Sequence, residues 1–401
     1  MKIAIFTEVM PPFVSGVSSY VDVLRKALAR RGHKVVVVTS VRDIPKTFEK
    51  NGTIFCKAKD APNKYGLECR TVNDPFVIKF FNNRFRPDVV HIHTDTRIGY
   101  MGLMIADRFQ VPVVFTVHDN YNDRFASKRT KIEWNIRTYF EKKHFCDMID
   151  NAQVISSSNK RAAQFVQEAG RSRNVMVVPT AVDMKMFDYT RSSSEAILKI
   201  RKKLGLPPRA VAAVFAGDLS VDKNLEFVLN AFSTHLSRSE NIHLLIVGDG
   251  TERRHLQNLT EKLKIGDRIH FVGEVSNSLM PEIYSACDVY VCSSEDSLMS
   301  MSFLEAIACG LPVLVKEDKE KFVYHMIRSG VNGFGYTDEE SFSGYLKKFL
   351  TFSAADKAKL RKIVRDSLKK RDPDMMARFT ENTYLQAIKT MRLEDEQRMM
   401  L

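Results

Sequence analysis

Residues 288–315 read DVYVCSSEDSLMSMSFLEAIACGLPVLV, and the reading of this stretch decides the fold. Asp288 to Cys292 is a short β-branched and aromatic run, Ser293 to Ser297 is polar punctuation, and Met301 to Cys309 is apolar at helical spacing. The pattern predicts strand, loop and helix. Gly310 stops the helix, Pro312 follows, and Val313 to Val315 begins the next strand. A buried strand that feeds a helix through a serine-rich loop aims free backbone N–H groups and the positive end of the helix dipole at one spot, which suits a phosphate. Glu305, in the first turns of that helix, is placed to accept hydrogen bonds from sugar hydroxyls. Ser302-Phe303-Leu304-Glu305 also fits a capping box in which Glu305 only satisfies a backbone N–H. Local sequence leaves both readings open.

A chain of 401 residues is too long for one ordinary core, so two domains of similar size are expected. At 44% hydrophobic and 27% charged it has the composition of a globular protein and not of a disordered one. Cys56, Cys69, Cys146, Cys287, Cys292 and Cys309 are scattered, with no C-x-x-C pair and no histidine at metal-ligand spacing; reduced, buried thiols in a cytosolic protein are expected, and no metal. The apolar run at the start, MKIAIFTEVMPPF, is too short for a signal peptide and is broken by Glu8, and no later segment approaches a membrane span of about 20 apolar residues. Residues 1–190 hold 30 Lys+Arg against 19 Asp+Glu, whereas residues 191–401 hold 31 against 29, so nearly all of the net +13 lies in the first half. That asymmetry points to an anionic partner, a membrane surface or a nucleic acid, with a merely solvated basic face as the alternative.

Lys2 to Val9 predicts a buried strand, Pro11-Pro12 a break, and Ser15-Gly16 the opening of a helix that Gly32 ends before the strand Lys34 to Thr39. This is a β-loop-α-β unit of the Rossmann kind without G-x-G-x-x-G, which counts against a dehydrogenase. Strands are expected at Thr53–Cys56, Asp88–His93 and Val111–His118, with a helix over Ile98–Phe109. His93 and His118 end successive strands, so they should share a crevice with the Gly16 loop. Phe76–Arg86 and Lys128–Phe145 mix basic and aromatic residues, as helices lying on anionic lipid do, although aromatics turned to the core would explain the same pattern. Thr190–Glu195 (TRSSSE) is the best linker candidate. Beyond it, strands at Val211–Ala216, Leu244–Val247, Ile269–Val272 and Asp288–Cys292 alternate with helices, a second doubly wound parallel sheet. The expected division is 1–190, 191–375, and a final helix over 376–401 packing back on the first domain.

Pro11-Pro12 with Ser15-Gly16-Val17, HIH at 91–93, TVH at 116–118, VVPTAVD at 177–183, FAGDLSVDKN at 215–224, IVGDG at 246–250, FVGEV at 271–275 and LEAIACGLPVL at 304–314 together resemble family 4 of the retaining glycosyltransferases. The resemblance implies an α/β fold of the GT-B type, two Rossmann-like doubly wound parallel-sheet domains facing a central cleft. It implies that Gly16 approaches the transferred sugar and His118 touches it. Lys223 would bind the donor diphosphate, with amides near Ser300, Met301 and Ser302 completing the phosphate site. Gly273 would frame the nucleobase, and Glu305 would hold the ribose. His118, Lys223 and Glu305 are thus the expected catalytic residues, with His93, Asn120 and Tyr121 beside His118 on the acceptor side. Two positions depart from the family pattern. Ser297 stands where the first glutamate of a Glu-x7-Glu pair is usual, and Asp218 where an arginine often lies beside the diphosphate; both belong to the donor site.

The implied substrate is a nucleotide-diphosphate sugar, UDP- in preference to GDP-linked, with no cofactor, no metal and no nucleic acid. The TVHDNY context and the basic first domain resemble the diacylglycerol glucosyltransferase branch, so the expected acceptor is a lipid or lipid-linked glycan at an anionic membrane, with the chain cytoplasmic and peripheral on its inner face. A soluble transferase with a sugar or small-molecule acceptor, and a non-catalytic relative, remain the competing readings.

Overall fold

Short β-branched runs alternating with amphipathic helices fold here as two parallel sheets, each with its own core. The computed structural model of the chain describes residues 1–11, 13, 15–61, 67–118, 142–158, 166, 174–293, 301–317, 327–369 and 371–399. Two units result, Met1–Ala181 with Pro373–Leu401, and Val182–Asp372.

The first unit is built on β1 (Lys2–Phe6), α1 (Gly16–Arg30), β2 (Lys34–Val41), β3 (Phe48–Lys50), β4 (Thr53–Asp60), β5 (Leu67–Cys69), α2 (Pro75–Asn83), β6 (Val89–Ile92), α3 (Arg97–Phe109), β7 (Val113–Val117), β8 (Val154–Ser157) and β9 (Val175–Val177). Strands run in the order β3-β4-β2-β1-β6-β7-β8-β9, with β5 also on β4. β3 and β5 pair antiparallel and the other pairings are parallel. Ile3 to Phe6 are wholly buried, as expected of a strand covered on both faces. The chain leaves β1 toward β2 on one side and later returns to β6 on the other, so the switch point of this sheet lies between the ends of β1 and β6.

The second unit contains α4 (Ser194–Lys203), β10 (Val211–Ala216), α5 (Leu225–Thr234), β11 (Ile242–Val247), α6 (Arg253–Lys262), β12 (Ile269–Gly273), α7 (Met280–Ala286), β13 (Val289–Cys292), α8 (Met301–Ala308), β14 (Val313–Lys316), β15 (Gly333–Tyr336), α9 (Glu339–Lys348) and α10 (Ala354–Asp366). Its sheet is parallel throughout in the order β12-β11-β10-β13-β14-β15, which puts the switch point between β10 and β13. Gly310, at φ +74°, ends the helix turn before β14, and a Cβ there would lie 2.8 Å from the Arg361 carbonyl, so α10 could not pack as it does against a larger residue.

The chain then returns to the first unit as α11 (Pro373–Met399). Met376, Ala377, Thr380, Thr383, Tyr384 and Ala387 are its buried face, packed on α1, β7 and β8. Arg31 at the end of α1 grips it, with Nε and Nη2 on the two Glu381 carboxylate oxygens at 2.6 and 2.9 Å and Nη1 on Asp374 at 3.0 Å.

Three expectations need correction. The first unit ends at Ala181, short of 190, because the Arg365 guanidinium on α10 donates to the carbonyls of Met184 (2.6 Å) and Phe187 and so holds the following segment in the second unit. Thr190–Glu195 is not a linker. Asp188 caps a single turn over Tyr189–Arg191, and Ser193 caps α4 through the Ala196 amide. The returning helix starts at Pro373, which takes residues 373–375 from the second domain.

On α2 and just after it, Phe81 and Phe85 are buried while Lys79, Arg84 and Arg86 are exposed; Phe76 shows 38% of its surface. Most of the second basic segment, 128–141, lies outside the described residues; past it, Lys142 and Lys143 are exposed and Phe145 is buried. No helix among the described residues is long and apolar enough to cross a membrane.

Candidate functional site

Three loops at the carboxyl ends of β10, β11 and β12 are laced together through their backbones. Gly217 N–H donates to the Val247 carbonyl (3.0 Å), Leu219 N–H to Asp249 (2.9 Å), and Gly248 N–H to Gly273 (2.8 Å). The approach is close enough that a Cβ on Gly248, at φ +131°, would sit 1.9 Å from the Gly217 carbonyl oxygen, so the GDG of the sequence is a packing requirement. Gly273 takes φ +82° at the end of β12. Beside it, Arg253 pairs with Asp249 at 2.7 Å.

At the switch point itself, Val221–Lys223 form one 3-10 turn and Asn224, left-handed at φ 48°, leads into α5. The Lys223 ammonium lies 2.5 Å from Asp222, and its backbone carbonyl accepts from the Ser293 hydroxyl at 2.7 Å, which ties the turn after β10 to the end of β13. Asp218 stands in the same loop with its carboxyl raised above the usual range, first by desolvation and then by Asp222 and Asp249, against the Ser220 hydroxyl and Lys223.

Glu305 is 5% exposed on the second turn of α8. Its oxygens are met by the Asn277 amide at 3.3 Å and the Tyr284 hydroxyl at 3.4 Å, and burial pushes its carboxyl up to about 7 against those two hydrogen bonds. Ser302 already lies inside the helix, its hydroxyl 3.0 Å from that of Tyr290, and Met301 before it is buried. The capping-box reading of Glu305 therefore does not hold, since the carboxyl engages side chains from other elements. Ser297 and Ser300 lie outside the described residues.

In the first unit, the switch point gathers Glu8 after β1, the Ser15-Gly16 start of α1, and His93 after β6. The Ser15 hydroxyl accepts from the Ser18 amide at 3.0 Å and leaves Gly16 exposed as the first helical residue. Glu8 is fully buried, and desolvation raises its carboxyl to about 7. The Thr96 hydroxyl donates to its Oε2 in a very short contact, while Oε1 has no hydrogen-bond partner. One strand over, His93 Nδ1 lies 2.8 Å from His118 Nε2, and the Tyr20 ring meets His118 edge-on with centroids 4.8 Å apart. Beneath them, His91 bonds the Tyr384 hydroxyl of α11 (2.8 Å) and Thr116 (2.6 Å), which in turn bonds Ser156 (2.6 Å). Burial lowers His91 to about 3 and, with His91 and His118 as neighbours, takes His93 well below the ordinary histidine range. Asn120 and Tyr121 lie outside the described residues.

The structure thus brings His93 and His118 together at one sheet edge, and Asp218, Lys223, Gly273, Met301, Ser302 and Glu305 onto the other sheet's edge. Sequence reading missed Glu8, Asn277, Tyr284 and Tyr384 as members of these clusters. Glu8 had one signal, a lone acid between a buried strand and Pro11; the other three reach the sites through packing alone.

Two family models match the chain, one described as Glycosyltransferase Family 4 over residues 14–185 and one as Glycosyl transferases group 1 over residues 197–371. The chain is 25% identical over 351 residues to an alpha-monoglucosyldiacylglycerol synthase of Acholeplasma laidlawii, covering 86% of this chain and 87% of that protein. Among solved structures it resembles a sucrose-phosphate synthase from Thermosynechococcus elongatus (TM-score 0.75, 19% identity, 96% of this chain and 98% of that one). It also resembles Anabaena Alr3699/HepE in complex with UDP (TM-score 0.68, 16% identity, 96% and 99%). At such identities the structural likeness speaks for the fold.

Proposed function

Because the chain belongs to family 4 of the glycosyltransferases and has their GT-B fold, we propose that it moves a hexose from a nucleoside-diphosphate sugar, UDP-linked in preference to GDP-linked, to a diacylglycerol-type lipid at an anionic membrane surface. The observation that carries the reading is the joining of the Lys223 turn to the end of β13 through the Ser293 hydroxyl, on the sheet edge that also holds Glu305. A cation and a helix start near one switch point suit a diphosphate, and a buried carboxyl with spare acceptor capacity suits ribose hydroxyls. The name of the Acholeplasma relative supports the lipid acceptor, and the UDP complex of the Anabaena protein supports the donor class.

In this reading the sugar is transferred with retention. The acceptor oxygen bonds to the anomeric carbon as the bond from that carbon to the phosphate oxygen breaks, and the acceptor proton passes to the leaving phosphate on the same face. Lys223 stabilises the charge that develops there. His118 touches the transferred sugar, and His93, Asn120 and Tyr121 belong to the acceptor side. The reaction as proposed uses no resident metal or cofactor, and the chain acts as a peripheral protein on the cytoplasmic face.

Calorimetric titration with UDP and GDP, followed by incubation of UDP-hexoses with dioleoylglycerol in anionic vesicles plus a chelator, tests the proposal. Nucleotide binding and an α-linked glycolipid are the expected results. No nucleotide binding at millimolar concentration by folded protein would replace the enzyme with a non-catalytic relative, and transfer to soluble sugars alone would remove the lipid.

A further inference from the structure

The last buried residue of α11 is Ala387, yet the helix continues to Met399, about three turns past its own core. A helical end with so little packed against it is marginal in water by itself. Glu394 lies on the inner side of this end and accepts from the Gln153 amide at 3.2 Å. At about 3.6 residues per turn, Leu385, Lys389, Arg392, Leu393 and Glu396 lie on the opposite side, turned away from the buried face. Leu385 is 59% exposed and Leu393 49%, and between this outer side and Met1 runs an open groove of about 470 Å³. Residues 388–399 hold Lys389, Arg392 and Arg398 against Glu394, Asp395 and Glu396, so the stretch carries no net charge. A surface that suits an anionic bilayer has cations in excess, and this one has none. The basic helix α2 is also on the far side of the sheet. Its Phe81 stacks on Phe6, in register with Ile92, whereas α11 reaches His91, which points the other way.

The order of charges along the outer side matches its own reverse. Antiparallel pairing about a two-fold axis beside Arg392 and Leu393 sets Lys389 against Glu396 of the second copy and Glu396 against its Lys389. The same axis lays the Arg392 stem on Leu393 of the copy and brings Leu385 to its Met399 end, which is 82% exposed. We propose that the outer side of α11 is a homodimer interface, in which two copies of the chain pair antiparallel over Leu385–Met399 with reciprocal Lys389–Glu396 contacts. Such an interface is isologous, so each favourable contact occurs twice. It is small beside the about 1,600 Å² of a standard specific interface, so the dimer is weak and forms with rising protein concentration.

Analytical ultracentrifugation of the full chain without lipid, from micromolar to hundreds of micromolar, tests the proposal. The wild type should pass from monomer to dimer within that range. Lys389→Glu and Glu396→Lys should each weaken the dimer by about tenfold or more, because two attractions across the axis become two repulsions. An equimolar mixture of the two variants should associate as tightly as wild type, since every such contact is then again between opposite charges. Both substitutions are at the surface and should leave the melting temperature of the monomer unchanged. A wild type that stays monomeric throughout overturns the proposal whether or not a variant folds. So does a dimer that both variants form equally well, or a mixture that associates no better than either variant alone. A monomeric wild type that binds phosphatidylglycerol vesicles, and loses that binding in Lys389→Glu, would give the groove to a lipid instead.

Discussion

Glu305 serves the ligand in the function proposed above, and as a buried carboxyl it is a liability to the fold. Its ordinary carboxyl value of 4.5 is raised by burial to about 7, so between those values the native chain keeps a proton that the unfolded chain has already released. Stability therefore falls as pH rises through that window, and above about 7 the full cost is present, on the order of 3 kcal/mol. Glu305→Gln keeps the shape and removes the charge. It should raise the melting temperature at pH 8 and hardly change it at pH 5, as scanning calorimetry at the two values would show; an equal gain at both would contradict the account. The same variant should weaken UDP binding roughly tenfold or more, since hydrogen bonds to a charged group are worth about 1.5–3 kcal/mol each. Glu8, raised to about 7 by the same cause, predicts the same pH signature for Glu8→Gln, and the two gains should add because the carboxyls sit in separate cores. Lys223→Ala should abolish diphosphate binding in the same titration. The placement of His118, Lys223 and Glu305 was legible in the sequence, because each lies on the segment that leaves the carboxyl end of a strand in a parallel sheet: His118 directly after β7, Lys223 in the turn after β10, and Glu305 on the helix after β13. Tyr284 and Asn277 were not, since they stand 21 and 28 residues from the carboxyl they hold and no local spacing records that packing.

Helix α2 shows how far a pattern can be read. Its apolar period announces a helix, and Asp74 with Pro75 marks its start through hydrogen bonds to the Phe76 and Val77 amides, but the period cannot say whether the phenylalanines face a core or a membrane. The inward turn of Phe81 and Phe85 answers for two of them. The polar run Thr190–Glu195 misled for a related reason: serine serves caps as readily as linkers, and here Ser193 caps α4 while Asp188, just before the run, caps the turn that leads into it. Helix α11 was legible as a helix, yet nothing in its composition told that Tyr384 would bond His91 beneath the His93–His118 pair. Tyr384→Phe strips the His91 Nδ1 of that partner in a fully buried place, which should cost about 1–3 kcal/mol. Deleting residues 373–401 should go further and lower the melting of the first unit while leaving that of the second where it was. Calorimetry of wild type and both variants would show this; a single transition that shifts as one would mean that the two cores do not melt separately.

Charge is distributed unevenly, and the proposed lipid acceptor gives the imbalance a use. Lys79, Arg84 and Arg86 are exposed on and just after α2, in the half of the chain that holds nearly all the excess positive charge. Each such cation near an anionic bilayer contributes about 1 kcal/mol, so replacing all three by Gln should weaken binding by roughly two decades. Co-sedimentation with phosphatidylglycerol vesicles at low and high salt measures it, and equal binding by wild type and the triple variant would exclude α2 as the docking element. The parallel alternation of both sheets was readable from the sequence, whereas the division at Ala181 was set by arginine contacts to backbone carbonyls that leave no trace in composition. That division has a consequence for biosynthesis. A ribosome releases β1 to β9 first, but the segment carrying Tyr384, Thr380 and Thr383, which covers β7 and β8, emerges last. The intervening Val182–Asp372 takes roughly 10–40 s to translate at ordinary elongation rates. During that interval the nascent amino-terminal sheet waits with an uncovered apolar face, and the later-made domain is the first able to finish folding.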